Sequence, residues 1–250
     1  MLLEGKVAIV TGAGHGIGRA YSLGIAREGG RVVVADIDGK AADQVAEEIG
    51  AQALAVRADV ADLESCKAMA QRALEAFGQI DGLVNNAAIF ATIPISRVGF
   101  QQIDEAEWDK VMEVNVKGVW NCCRAVVPAM QARKQGSIVN ISSGTVINGS
   151  AGRVHYVASK AAVMGMSRVL ARELGEDNIR VNTIAPGSTL SEAEPDERIL
   201  NLRQANVSTR ALKRVERPDD LVGTVLYLLS DLSSFVTGSM IAVNGGDVMY

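Results

Sequence analysis

Residues 7–20 read "VAIVTGAGHGIGRA", and the reading of this stretch decides the fold. Its first residues, Val7 to Thr11, are apolar at successive positions with no polar alternation. A strand of that kind is covered on both faces, as in parallel sheets. Glycines 12, 16 and 18 then give the spacing G-x-x-x-G-x-G, and helical periodicity runs from Gly16 to Glu28. Between a strand and a helix start, such a turn brings free backbone N–H groups to a pyrophosphate. Gly12 permits the sharp turn, Gly16 a close approach of phosphate to backbone, and Gly18 tight packing of helix on sheet.

The pattern repeats outward along the chain. Strand-like runs recur at Arg31–Ala35, Ala53–Arg57, Gly82–Asn85, Ser137–Ile141, Arg180–Ile184 and Met240–Val243. Helical periodicity fills the intervals at Lys40–Ile49, Asp62–Phe77, Glu105–Arg133, Tyr156–Leu174 and Pro218–Leu229. Right-handed crossovers turn this alternation into a doubly wound parallel α/β sheet of about seven strands, with helices on both faces. No linker or repeat divides the chain, so residues 1–250 read as a single domain. Segments 88–104 and 187–216 follow strand ends without clear periodicity, which makes them the expected substrate loops, the second a candidate lid.

Composition narrows the function classes. A net charge of −4, with no basic run, argues against a nucleic-acid-binding surface. No apolar run approaches the ~18 residues of a membrane span, and no signal peptide is evident, so a soluble cytoplasmic protein is expected. Cys66, Cys122 and Cys123 have neither a disulfide framework nor metal spacing and read as small core residues. No metal site is expected.

Asp36 ends the second strand, eighteen residues after Gly18. A carboxylate there accepts hydrogen bonds from adenosine ribose hydroxyls and repels a 2′-phosphate, which favours NAD over NADP. His15, inside the glycine turn, is the one feature that could assist an extra phosphate. An S-adenosylmethionine site also pairs a glycine turn with such an acid, and the residues downstream separate the two.

Those residues are "GSIVNISSGTVINGSAGRVHYVASKAA" (136–162), with Ser143 after a strand and Tyr156 one helical turn before Lys160. In order, "TGAGHGIG" (11–18), "ADV" (58–60), "NNA" (85–87), Asn115 within "VNVKG", Ser143, Tyr156 with Lys160, "PG" (186–187) and "VNGG" (243–246) run the length of the chain. On these elements the chain resembles the short-chain dehydrogenase/reductase family, whose fold is a Rossmann fold. The resemblance implies a catalytic tetrad of Asn115, Ser143, Tyr156 and Lys160. Tyr156 would be the general acid/base, its pKa lowered by Lys160. Ser143, with Ser142 as runner-up, would hold the substrate oxygen, and Asn115 a water relaying protons to Lys160. It also implies a nicotinamide cofactor held by Gly12, His15, Gly16, Ile17, Gly18, Asp36, Ile37, Asp59, Val60, Asn86, Ala87, Tyr156, Lys160, Pro186, Gly187 and Thr189. Ala88 stands where the family has a glycine, and either Thr189 or Ser191 would meet the carboxamide.

The expected function is NAD-dependent hydride transfer to or from a medium-sized, partly hydrophobic secondary alcohol or ketone. The alternatives are an NADPH-dependent 3-oxoacyl-thioester or other carbonyl reductase, which Asp36 opposes, and a non-catalytic dinucleotide sensor, which the intact Tyr156 and Lys160 oppose. Phe90, Ile93, Val146, Ile147, Val154 and Leu190 are the candidate pocket wall. Arg153 reads as a solvated surface arginine, with pairing to a substrate carboxylate as the other reading, and His155 is expected to face away from the pocket. The resemblance further implies a homotetramer, with the long helices and the tail Val248–Tyr250 near its interfaces.

Overall fold

A computed structural model describes residues 1–90, 93–192 and 195–249. Parts of both expected substrate loops, and the end of the tail, lie outside the described residues. Seven parallel strands form one sheet in the order β3-β2-β1-β4-β5-β6-β7. They are β1 (Val7–Thr11), β2 (Arg31–Asp36), β3 (Ala53–Arg57), β4 (Gly82–Asn85), β5 (Gly136–Ile141), β6 (Ile179–Pro186) and β7 (Met240–Val243). The helices are α1 (Gly16–Arg27), α2 (Gly39–Ile49), α3 (Leu63–Phe77), α4 (Glu105–Met112), α5 (Gly118–Arg133), α6 (Thr145–Asn148), α7 (Val154–Glu173), α8 (Glu197–Ala205) and α9 (Asp219–Leu229).

Successive strand residues serve opposite layers, as the pleat requires. Val32 and Val34 join Tyr21 and Ile25 of α1, Val45 of α2 and Val225 of α9 on one face. Val33 and Ala35 join Met69 of α3, Val126 of α5 and Val163 of α7 on the other. The two faces explain why the strands carry no polar alternation. Helix starts are set by aspartate caps: Asp38 accepts from the N–H groups of Lys40 and Ala41, Asp62 from Glu64, and Asp104 from Ala106 and Glu107. The three cysteines are free and buried, with the Cys66 and Cys122 sulfurs 3.7 Å apart.

Two departures from the sequence reading affect the site. The expected single helix Glu105–Arg133 is divided by a π turn at Glu113–Lys117, which holds Asn115. Such turns widen a helix by one residue and re-aim its side chains. Within 187–216, residues Glu197–Ala205 form α8, capped by Asp196, which accepts from the Ile199 N–H. No helix among the described residues is long and apolar enough to cross a membrane.

Candidate active site

The strand order reverses between β1 and β4, where chains leave in opposite directions and a crevice opens beyond the strand ends. A cavity of about 950 Å³ occupies it. Its walls carry the glycine turn after β1, the ends of β2, β4 and β5, the start of α7 and the loop after β6.

The glycine turn fits a dinucleotide. Gly12 has φ +62°, and a Cβ on it would lie 2.8 Å from Ala87 Cα. A Cβ on Gly18 would lie 2.0 Å from the Gly12 carbonyl oxygen, so only glycine lets α1 close onto the turn. Thr11, missed in the sequence reading, braces the same point: its hydroxyl accepts from the N–H groups of Asn86 and Ala87, each at 3.1 Å. The Asn86 amide donates to the Thr11 and Gly12 carbonyls at 3.0 Å, so it supports the turn as well as lining the cavity.

At the ribose end, Asp36 is buried and accepts from the N–H groups of Gly14 (2.8 Å) and Asp38 (3.0 Å). His15 does not stand alone beside it. Its Nε2 lies 3.6 Å from an Asp38 carboxylate oxygen. Arg19 is likewise committed to Glu48 at 2.6 Å, and Arg57 Nε to the Ile37 carbonyl at 3.3 Å. His15 and Arg19 are therefore each paired with a carboxylate, while Asp36 and Asp38 both line this end of the cavity. Ile37, Asp59, Val60 and Ala87 also line the cavity.

At the other end, a ladder of buried polar groups fixes α7. Asn85 donates to Asn140 at 2.8 Å, and Asn140 to Ser167 at 2.9 Å. The Ser142 hydroxyl donates to the Lys160 carbonyl at 2.8 Å, so it anchors the helix and is committed to that bond. Ser143 is left beside the phenol of Tyr156, its own oxygen accepting from the Thr145 N–H and hydroxyl. Tyr156 and Lys160 are both buried and line the cavity. Burial pushes the phenol up to about 12, against the hydrogen bond from Ser143 and the charge of Arg153. Burial also pushes Lys160 down to about 8. Lys160 Nζ donates to the Ile141 carbonyl at 2.9 Å. In the free protein desolvation dominates the phenol, outweighing the Ser143 hydrogen bond and the Arg153 charge.

Asn115 is fully buried on its π turn. Its Oδ1 accepts from the Ile89 N–H at 2.8 Å, and its Nδ2 donates to the Ser159 hydroxyl at 3.1 Å. Ser159 in turn donates to the Tyr156 carbonyl at 2.7 Å. Asn115 therefore ties the start of the 88–104 loop to α7.

Thr189 lines the cavity with its hydroxyl donating to Glu216 at 2.8 Å. Glu216, also missed in the sequence reading, accepts from the Gly187 N–H at 3.2 Å and pairs with buried Arg210 at 3.5 Å. No sequence signal marks this pair, which closes across a loop. Pro186, Gly187 and Ser191 line the same wall.

On the substrate side, Phe90, Ile93 and Leu190 line the cavity, whereas Val146, Ile147 and Val154 do not, and Asn148 and Ser150 take that part of the wall. Phe90 stacks on Tyr156 with ring centroids 4.4 Å apart. His155 faces away, as expected, with Nε2 3.1 Å from Glu107, whose Oε1 also accepts from the Ser96 N–H. Arg153 is not a solvated surface residue; it is half-buried and lines the cavity. Among the described residues no cluster of His, Cys, Asp or Glu is placed to hold a metal ion.

The chain is similar to known proteins in sequence and in fold. A family model described as enoyl-(acyl carrier protein) reductase matches residues 12–247. A 3-oxoacyl-[acyl-carrier-protein] reductase of Thermotoga maritima is 39% identical, with 100% of each chain covered. A probable short-chain type dehydrogenase/reductase of Bradyrhizobium diazoefficiens is 43% identical over 97% of this chain and 87% of its own. The crystal structure of a 3-ketoacyl-(acyl-carrier-protein) reductase from Brucella melitensis, complexed with NADH, superposes with a TM-score of 0.89 at 31% identity. That likeness covers 98% of this chain and 99% of the other.

Proposed function

Because the chain belongs to the short-chain dehydrogenase/reductase family of oxidoreductases, we propose that it interconverts the carbonyl of a 3-oxoacyl compound and the matching 3-hydroxyl, using NAD(H). The observation that carries the reading is Tyr156 and Ser143 side by side, at one end of a cavity whose other end holds the glycine turn and Asp36. A 3-hydroxyacyl product is itself a secondary alcohol, so this narrows the class expected from sequence. The names of the relatives support the 3-oxoacyl group. Asp36 and Asp38 support NADH over NADPH.

A bound nicotinamide nucleotide supplies the hydride, which gives the substrate carbon its new C–H bond. The chain's own residues handle the oxygen and the proton. Ser143 donates a hydrogen bond to the carbonyl oxygen and stabilises the charge that develops there. Tyr156, protonated at neutral pH, gives its proton to that oxygen during reduction and takes it back during oxidation. Lys160 favours the transient phenolate and would hold the ribose hydroxyls of the nucleotide. Asn115 holds the wall of the site in place. Pro186, Gly187 and Thr189 would meet the carboxamide, with the Thr189 hydroxyl oriented by Glu216.

A homotetramer belongs to the same reading. Trp120 and Val169 are exposed, and Met112, Val116, Trp120 and Met166 form an apolar hollow on the outer helices, a surface suited to a second copy. Light scattering on the purified chain tests that assembly. The activity is tested by consumption of NADH absorbance with 3-oxobutanoyl substrates, and no consumption despite NADH binding would favour the sensor alternative.

A further inference from the structure

Arg153 immediately precedes α7, three residues before Tyr156. Its guanidinium carbon lies 5.8 Å from the centroid of Phe90, the ring that stacks on Tyr156. The cation is thus one aromatic ring removed from the phenol, on the wall of the same cavity. Among the described residues no carboxylate pairs with it, and its Nε is buried without a hydrogen-bond partner. Burial disfavours its charge, and so do the neighbouring guanidiniums of Arg97 and Arg203. Arg203 has its own partners, Glu192 at 2.6 Å and the Ser188 hydroxyl at 3.0 Å. Arg97 is exposed to solvent. Among the described residues, Arg153 is therefore a half-buried cation with one buried donor left without a partner on the cavity wall, which an anion in the cavity would satisfy.

We infer that Arg153 is the receptor for a free carboxylate on the substrate, so that the preferred carbonyl compound is an oxo acid and not a neutral ester or thioester. The inference rests on carbonyl reduction at Tyr156 and narrows it. A planar guanidinium with free N–H groups matches a carboxylate in a two-pronged hydrogen bond, a geometry that lysine does not reproduce. Arg153, Phe90, Ser143 and Tyr156 line one cavity, so a carboxylate on Arg153 would place an oxo acid in the same space as Ser143 and Tyr156.

The test compares two oxo acids, 3-oxobutanoate and 4-oxopentanoate, with their methyl esters and N-acetylcysteamine thioesters. The full chain is saturated with NADH, and wild type, Arg153→Leu and Arg153→Lys are assayed. The wild type is expected to favour at least one acid over its neutral derivatives through KM. Arg153→Leu should raise the KM for that acid roughly 10- to 100-fold, the range of a lost charge-assisted pair. It should leave KM for the neutral compounds within about threefold, and Arg153→Lys should recover part of the loss. NADH binding by each variant reports an intact fold. Neutral substrates preferred by the wild type, or an equal effect of Arg153→Leu on acids and esters, would overturn the carboxylate assignment while leaving carbonyl reduction standing. No turnover of any of these compounds, with NADH still bound, would remove both.

Discussion

Lys160 Nζ lies 5.9 Å from the centroid of the Tyr156 ring, yet its hydrogen bond goes to the Ile141 carbonyl at 2.9 Å. The two groups share a helix face and a dry pocket, and burial moves them in opposite directions, the phenol up and the amine down. Each shift favours the neutral form. A neutral phenol is the form that donates a proton during carbonyl reduction. In the free protein the phenol therefore carries its proton at neutral pH.

Tyr156→Phe removes the proton donor and keeps the ring that stacks on Phe90. Turnover should fall by about 10²–10⁴-fold, the usual share of a general acid. NADH affinity, measured by fluorescence titration, should change by only a few-fold. Retention of most activity would contradict the assignment.

Lys160 gives a pH-dependent signature in stability. Its value in the folded chain, about 8, lies below the ordinary 10.5, so the unfolded chain binds more protons between those values. Stability contributed at this site therefore rises with pH across that window. Relative to Lys160→Met, the nucleotide-free wild type should gain roughly 2–3 kcal/mol between pH 7 and pH 10. Urea melts at the two pH values measure the difference, and a constant gap would show that burial does not depress Lys160.

What the sequence showed of this site was local chemistry. Val7–Thr11, the glycines after it and the Tyr156–Lys160 spacing are short-range patterns, and each sits in the structure where it was expected. Interactions closed by tertiary packing were not legible. The π turn at Glu113–Lys117 leaves the apolar spacing on either side intact, so the segment reads as one helix. Asp196 caps α8, but the mixed charge of that segment hid its periodicity. Glu216 meets Arg210 and Thr189 across a loop, with nothing in the local pattern to announce it. Arg153 is of a type usually found solvated at the surface, and only the fold brings it to the cavity wall beside Phe90.

Asp36→Ala should lower the ratio of kcat/KM with NADH to that with NADPH by roughly 10- to 100-fold, as expected for loss of a charged hydrogen-bond acceptor. With His15 paired to Asp38 and Arg19 to Glu48, the discrimination falls mainly on the carboxylates. An unchanged ratio would discredit the ribose contact.

Glu216→Ala leaves the Arg210 guanidinium buried without its carboxylate and frees the Thr189 hydroxyl. Loss of one partner of a buried pair costs about 3 kcal/mol or more. Denaturant unfolding should register that loss, and KM for NADH should rise together with it. A variant as stable as wild type would show that the hydrogen bonds from Arg210 to the Ser188 and Arg214 carbonyls suffice on their own.

The central claim is that the cavity joins a reduced nicotinamide to a substrate carbonyl beside Tyr156. Its most direct measurement uses NADH deuterated at the transferable position, with 3-oxobutanoate and its thioester as acceptors and mass spectrometry of the product. Wild type should place deuterium on the carbinol carbon of the 3-hydroxy product, and Tyr156→Phe should form almost none. Product without deuterium, or equal labelled product from the two proteins, would contradict the account.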